Sequence, residues 1–161
     1  MLNVSIVLYR PDWEQVCALT HALLQSQRVN RVYWIDNSPQ AAEQLPLQSE
    51  RIQYQHNSTN LGYGAAHNIA IRESIYDNIP FHLVINPDII LDAKELDRML
   101  DFVSQNPLVG SLMPKVTYPN GQLQYLCKLL PTPLDVFGRR FLPASWIAQR
   151  NHQYEMRASG Y

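Results

Sequence analysis

Short β-rich runs alternate with helix-period stretches from residue 4 to about residue 113, and this alternation constrains the fold more than any other feature of the chain. Val4 to Tyr9 reads as a buried strand, and Asp12 then caps a helix with Gln15 three residues on, as in a capping box. Val16, Leu19, Leu23 and Leu24 give that helix its apolar stripe. A second strand, Arg31 to Ile35, runs into the turn formers Asp36-Asn37-Ser38-Pro39, and Arg51 to Gln55 reads as a short third strand. A helix is expected over Ala65 to Ile75, then a buried strand over Phe81 to Ile85 ending at Asn86-Pro87-Asp88. Asp92 and Glu95 suggest a second capping box, after which Leu96, Met99, Leu100 and Val103 face the core, and Val109 to Met113 reads as a further strand. Such alternation predicts an α/β fold, a mostly parallel sheet flanked by helices. Ligands of such sheets bind beyond the carboxyl ends of the strands. Three polar clusters fall there: Tyr9-Arg10, Asp36-Asn37-Ser38 and Asn86-Pro87-Asp88.

The pattern then changes. Residues 115–125 read as a hairpin turning at Asn120-Gly121. From Lys128 onward prolines and aromatics replace periodicity, so the expected organisation is one domain over 1–126 and an irregular segment over 127–161.

A chain of 161 residues supports one globular core, and a net charge of −1 favours no polyanionic partner such as nucleic acid. Cys17 and Cys127 form no CxxC pair, so a disulfide framework or thiolate zinc site is not expected and both read as small buried residues. No stretch has the roughly 18 uncharged apolar residues of a membrane span, and the start lacks a basic leader region. The expected location is the cytoplasm, with peripheral contact at the inner membrane face left open.

Asp88, just past a strand, is placed to hold Mg²⁺ or Mn²⁺, which take hard oxygen ligands shared with substrate phosphates; taken alone, Asn86-Pro87-Asp88 reads first as a turn. Asp36 offers a carboxylate to a nucleobase N–H or a ribose hydroxyl, or closes an Asx-turn. In Asn60-Leu61-Gly62-Tyr63-Gly64-Ala65-Ala66-His67-Asn68, the glycines permit close backbone approach, and the following helix offers unpaired N–H groups to an anion. This is neither a phosphate-binding P-loop nor a full dinucleotide fingerprint. The five histidines show no metal-ligand spacing, and Ser58 and Ser111 lack the context of a hydrolase nucleophile.

Four stretches occur in order: the first strand running into Tyr9-Arg10-Pro11, then Ile35-Asp36-Asn37-Ser38, Asn60-x-Gly62-x-Gly64-x-x-x-Asn68, and Ile85-Asn86-Pro87-Asp88-Ile89. With the later Met113-Pro114-Lys115 and Pro119-Asn120-Gly121, they resemble family 2 glycosyltransferases of the Rossmann-like GT-A fold, in particular bacterial O-antigen rhamnosyltransferases. The resemblance covers about residues 2–126. It implies that Tyr9 and Asp36 contact the base and ribose of a nucleotide-diphospho-sugar, that Asn60, Gly62 and Asn68 line its pocket, and that Asn86-Pro87-Asp88 stands for an Asp-x-Asp motif with Asp88 on the metal. The first acid of that motif is Asn86 here. It further implies inverting sugar transfer, with dTDP-rhamnose as donor and a polyprenyl-diphosphate-linked glycan in lipopolysaccharide O-antigen synthesis as acceptor.

The family's catalytic base comes from an acidic motif after the metal site. Beyond Asp101 the acids are Asp135 and Glu155, neither in such a context, so the base stays unassigned. The expectation is a C-terminally incomplete fold that binds nucleotide weakly, transfers no sugar, and is poorly soluble through an exposed sheet edge. Lys128, Arg139, Arg140, Arg150 and Arg157, interleaved with Phe137, Phe141 and Trp146, suit either an anionic membrane surface or packing against a further part of the fold. Two rival readings are a sugar nucleotidyltransferase, disfavoured because the first strand lacks a Gly-rich basic loop, and a non-catalytic remnant.

Overall fold

A computed structural model describes residues 1–126, 128–130, 132 and 154. The chain divides into two compact units, Met1–Val109 and Gly110–Tyr161.

The first unit is built on four parallel strands in the order β3-β2-β1-β4. They are β1 (Leu2–Leu8), β2 (Val29–Asp36), β3 (Ile52–His56) and β4 (Phe81–Val84). Three helices join or follow them: α1 (Trp13–Gln25), α2 (Tyr63–Tyr76) and α3 (Ala93–Gln105). The chain lays β2 and β3 on one side of β1, then crosses back to place β4 on the other. That reversal of order creates a crevice at the carboxyl rim.

Period-two alternation sorts β1 onto two faces. Val4, Ile6 and Leu8 point toward α1 and α3, joining Val16, Leu19, Leu23, Val32, Trp34, Leu96 and Leu100 in an apolar core. Trp34, fully buried, packs against Trp13 with ring centroids 5.6 Å apart and donates its indole N–H to Thr20 Oγ1 at 3.1 Å. On the opposite face, toward α2, a smaller apolar cluster of Tyr33, Ile35, Ala66 and Ala70 shares space with buried Asn3, Ser5, His67 and Ser74.

The helix ends follow local chemistry. Asp12 Oδ1 accepts from the Glu14 and Gln15 amides and opens α1. The carboxyl end of α1 has no basic residue in its last turn. Arg51, just before β3, reaches across instead: its guanidinium donates to the carbonyls of Leu24, Ser26 and Val29 at 2.6–3.2 Å. A cation at a helix C-terminus is favourable, and here it comes from another element. Asp92 caps α3 through the Lys94 amide, while Glu95 pairs with Arg98 rather than returning to the cap, so this capping box is half made.

Three local expectations change. Val109 to Met113 is not a strand; Gly110 weakens extended structure, and among the described residues no strand pairs with it. Strand β4 is only half-buried, because among the described residues it pairs on one side alone. Helix α2 begins two residues earlier than its apolar pattern suggests, at Tyr63.

In the second unit, β5 (Val116–Thr117) and β6 (Leu123–Gln124) pair antiparallel around Asn120-Gly121, as the turn signal predicts. Gly121 has φ +82°, a conformation costly for any residue with a Cβ. Cys127, Asp135, Phe137, Arg139, Arg140, Phe141, Trp146, Arg150, Glu155 and Arg157, invoked for the disulfide, base and membrane questions, lie outside the described residues. Among the described residues no helix is long and apolar enough to cross a membrane.

Candidate functional site

Because all four strands are parallel, the segments after Leu8, Asp36, His56 and Val84 gather at one rim. Neighbouring strands lie about 4.8 Å apart, so the ends of β2 and β4, flanking β1, are separated by about 10 Å.

A cleft of about 520 Å³ opens between the β1 and β2 loops, lined by Arg10, Pro11, Trp13, Asp36, Ser38, Pro39, Gln40 and Ala42. Asp36 contributes to its wall although only 1 % exposed. Each of its oxygens is held. Oδ1 accepts from the Ser38 amide at 2.8 Å, the Asx-turn the sequence allowed, and Oδ2 accepts from the Tyr54 hydroxyl at 2.7 Å. Burial pushes the Tyr54 phenol up, opposed by the Ala42 N–H and reinforced by the Asp36 carboxylate, which keeps the proton on the phenol. Ser38 Oγ accepts from the Arg10 amide at 2.7 Å, and its carbonyl meets His56 Nε2 at 2.8 Å. Arg10 has φ +49°, so this contact holds a non-glycine residue in left-handed backbone. Its guanidinium lies 5.7 Å from the ring centroid of Tyr9, itself half exposed.

Toward the α2 side, Asn37 and Asn57 pair their amides at 2.8 Å. The Asn60 side chain accepts from the Gly62 amide at 2.9 Å. Gly62, at φ +79°, precedes α2 with no side-chain cap; the space where a Cβ would stand is open, so backbone conformation rather than crowding calls for glycine. The first-turn N–H groups of α2 are therefore available to an anion. Asn68 is exposed on the second turn, on the face of Gly64.

Past β4, Asn86 and Asp88 are both exposed. Asn86 Oδ1 accepts from the Tyr63 hydroxyl at 2.9 Å, joining the start of α2 to this loop. Burial and then the negative charge of Asp88 raise the Tyr63 phenol, so Asp88 stands within electrostatic reach. Asp88 lines a second cleft of about 450 Å³ whose walls include Asp12, Ala18, Leu19 and Ile89. Asp36 and Asp88 thus share a rim but front different clefts.

Among the described residues no group of three His, Cys, Asp or Glu side chains could hold a metal ion. In the second cleft the described residues place the exposed carboxylate of Asp88 near those of Asp12 and Glu14, too sparsely for a ligand cluster of their own. That donor set suits an ion that takes most of its oxygens from substrate phosphates and solvent, as Mg²⁺ does.

Sequence reasoning missed three features: the Tyr54 contact to Asp36, the Tyr63 contact to Asn86, and a buried polar chain beneath α2. In that chain Ser5 Oγ bonds both His67 Nδ1 at 2.7 Å and His82 Nε2 at 2.8 Å. His82 Nδ1 meets Ser74 Oγ at 2.7 Å, and Asn3 donates to the same oxygen at 3.0 Å. Ser74 gives its one hydrogen to the Ala70 carbonyl. His82 Nδ1 must then carry a proton, Ser5 donates to His82 Nε2, and His67 Nδ1–H donates to Ser5. Among the described residues, His67 Nε2 is left as a buried lone pair without a partner. Burial lowers His67 to about 4, and burial followed by the charge of His67 lowers His82 to about 4.

An open parallel α/β sheet with polar loops and an uncapped helix start at its carboxyl rim is a Rossmann-like architecture, consistent with the GT-A fold. The family model for glycosyl transferase family 2 matches residues 33–142, and the chain belongs to that family. Membership brings with it a nucleotide-sugar donor and an acceptor. The comparison with curated proteins returned no match.

Proposed function

We propose that the rim binds the donor for an inverting sugar transfer, the sugar being rhamnose carried by dTDP and the acceptor a polyprenyl-diphosphate-linked glycan of lipopolysaccharide O-antigen assembly. The observation that carries the donor reading is that the segments bearing Asp36 and Asp88 emerge at one carboxyl rim, on either side of β1, in a chain of this family. The rhamnose and lipid assignments rest on the motif resemblance.

In this reading Asp36 and Tyr9 meet the base and ribose. Asn60, Gly62 and Asn68 line the pocket on the α2 side, and Asn86 and Asp88 meet the diphosphate. A general base, unassigned among the described residues, takes the proton of the acceptor hydroxyl, whose oxygen attacks the anomeric carbon as the bond to the nucleoside diphosphate breaks. Asp88 would hold Mg²⁺ or Mn²⁺, which would supply positive charge to the departing diphosphate. Arg10, exposed at the mouth of the first cleft, places a cation on the base and ribose side. Peripheral contact with the inner membrane face would bring the rim to a lipid-linked acceptor.

Isothermal calorimetry with dTDP and Mn²⁺ tests the donor site. The native chain should bind dTDP more tightly with Mn²⁺ than without, and Asp88→Ala should abolish that increment. An equal response in both proteins would remove Asp88 from the metal, and no binding by the native chain would remove the donor-site reading.

A further inference from the structure

The least expected group at the rim is the buried carboxylate of Asp36, whose hydrogen-bond donors are both neutral. A carboxylate has about four lone-pair sites, and burial is costly unless they are used. Ser38 N–H takes one oxygen and the Tyr54 hydroxyl the other. Tyr54 is itself constrained. Its ring packs against the apolar core from β3, and its oxygen accepts the Ala42 amide at 3.1 Å. With that lone pair occupied, the phenol proton points to Asp36 and nowhere else. Trp34 and Tyr54 are register partners on β2 and β3, so Tyr54 reaches Asp36 diagonally along one face of the sheet. Tyr54 does not line the cleft, and Asp36 does.

We propose that Tyr54 is a positioning residue: with Ala42 behind it, it fixes the Asp36 carboxylate as an acceptor-only edge in the cleft, aimed at the ring N3 position of a pyrimidine and selecting bases that carry a hydrogen there. This inference rests on the donor-site reading above. A fixed carboxylate accepts from the ring N3–H of uracil or thymine. It is repelled by the lone pair that cytosine carries at N3. The bases are alike in size, so the discrimination comes from hydrogen-bond polarity, where a site's unpaired polar group is costly. Freed from Tyr54, the carboxylate can turn or recruit water, and the edge loses its direction.

Calorimetry of the full chain with UDP, dTDP and CDP tests this, comparing native protein with Tyr54→Phe. The native protein should prefer UDP and dTDP over CDP. In Tyr54→Phe the preference should fall by about tenfold, the scale of one hydrogen bond to a charged group, with CDP affinity little changed. A uniform loss across all three nucleotides would mean that Tyr54 merely supports the fold, and overturns the proposal, as does an unchanged preference. If Tyr54→Phe fails to fold, Tyr54→3-fluorotyrosine keeps the shape while strengthening the donor. The preference should then rise, and no change overturns the proposal. A native chain that binds none of the three overturns the donor-site reading and this inference together, whereas native binding without base preference overturns this inference alone.

Discussion

His67 and His82 share a single hydroxyl, that of Ser5, at 2.7 and 2.8 Å. One proton cannot serve both imidazoles, so the chain has a direction, set by Ser74 giving its hydrogen to Ala70. A proton added to either ring puts a charge into a space that offers no carboxylate partner in this network.

That arrangement makes stability pH-dependent. Both histidines drop from an ordinary 6.5 to about 4 in the folded protein. Between those values the unfolded chain binds more protons than the folded one, so stability falls as pH falls. The contribution is complete above pH 6.5 and declines toward pH 4. At about pH 5 the loss should be on the order of 2 kcal/mol for each histidine. Urea unfolding near pH 7.5 and pH 5 measures it, and His82→Gln should remove about half of the difference. A flat profile would show that the imidazoles are already protonated or solvated.

Arg51→Met should destabilise the first unit by about 1–2 kcal/mol, because three carbonyls at and after the end of α1 lose a cationic donor. Lysine should recover only part, lacking the fork that reaches several carbonyls at once. Chemical denaturation of the two variants checks both statements.

Thr20→Val keeps its shape but leaves the Trp34 indole N–H buried without an acceptor. The expected cost is about 1–3 kcal/mol. Near-ultraviolet circular dichroism should keep the tryptophan signal while the unfolding midpoint drops; an unchanged midpoint would mean that water reaches the indole.

Asn86→Asp adds a second carboxylate to the loop of Asp88 while leaving Tyr63 an oxygen to donate to. Mn²⁺ affinity in the presence of dTDP should rise on the order of tenfold, since ligand charge sets the affinity of such sites. Calorimetric titration decides it. Equal affinities would place the ion away from this loop.

The α/β layout was legible because Val16, Leu19 and Leu23 repeat at helical spacing and Val4 to Leu8 sits in a short apolar run, both local signals that the tertiary structure keeps. The rim was legible for the same reason: Asp36 ends one strand and Asp88 follows another, and parallel strands end together. What stayed hidden is what the fold assembles across distance. Tyr54 looks like any strand aromatic until the β2–β3 register puts it diagonal to Asp36. Ser5, His67, Ser74 and His82 carry no common spacing, and only the packing of α2 on β1 and β4 brings them together. Val109 to Met113 failed in the opposite sense, since β propensity needs a partner strand and the described residues provide none.

The two faces of the sheet are glued differently, and temperature should tell them apart. Oily contact under α1 and α3 weakens as water is cooled, whereas the imidazole–hydroxyl chain under α2 has no such entropic origin. Chilling should therefore loosen the Trp34 side first and leave the helix that begins at Tyr63 seated.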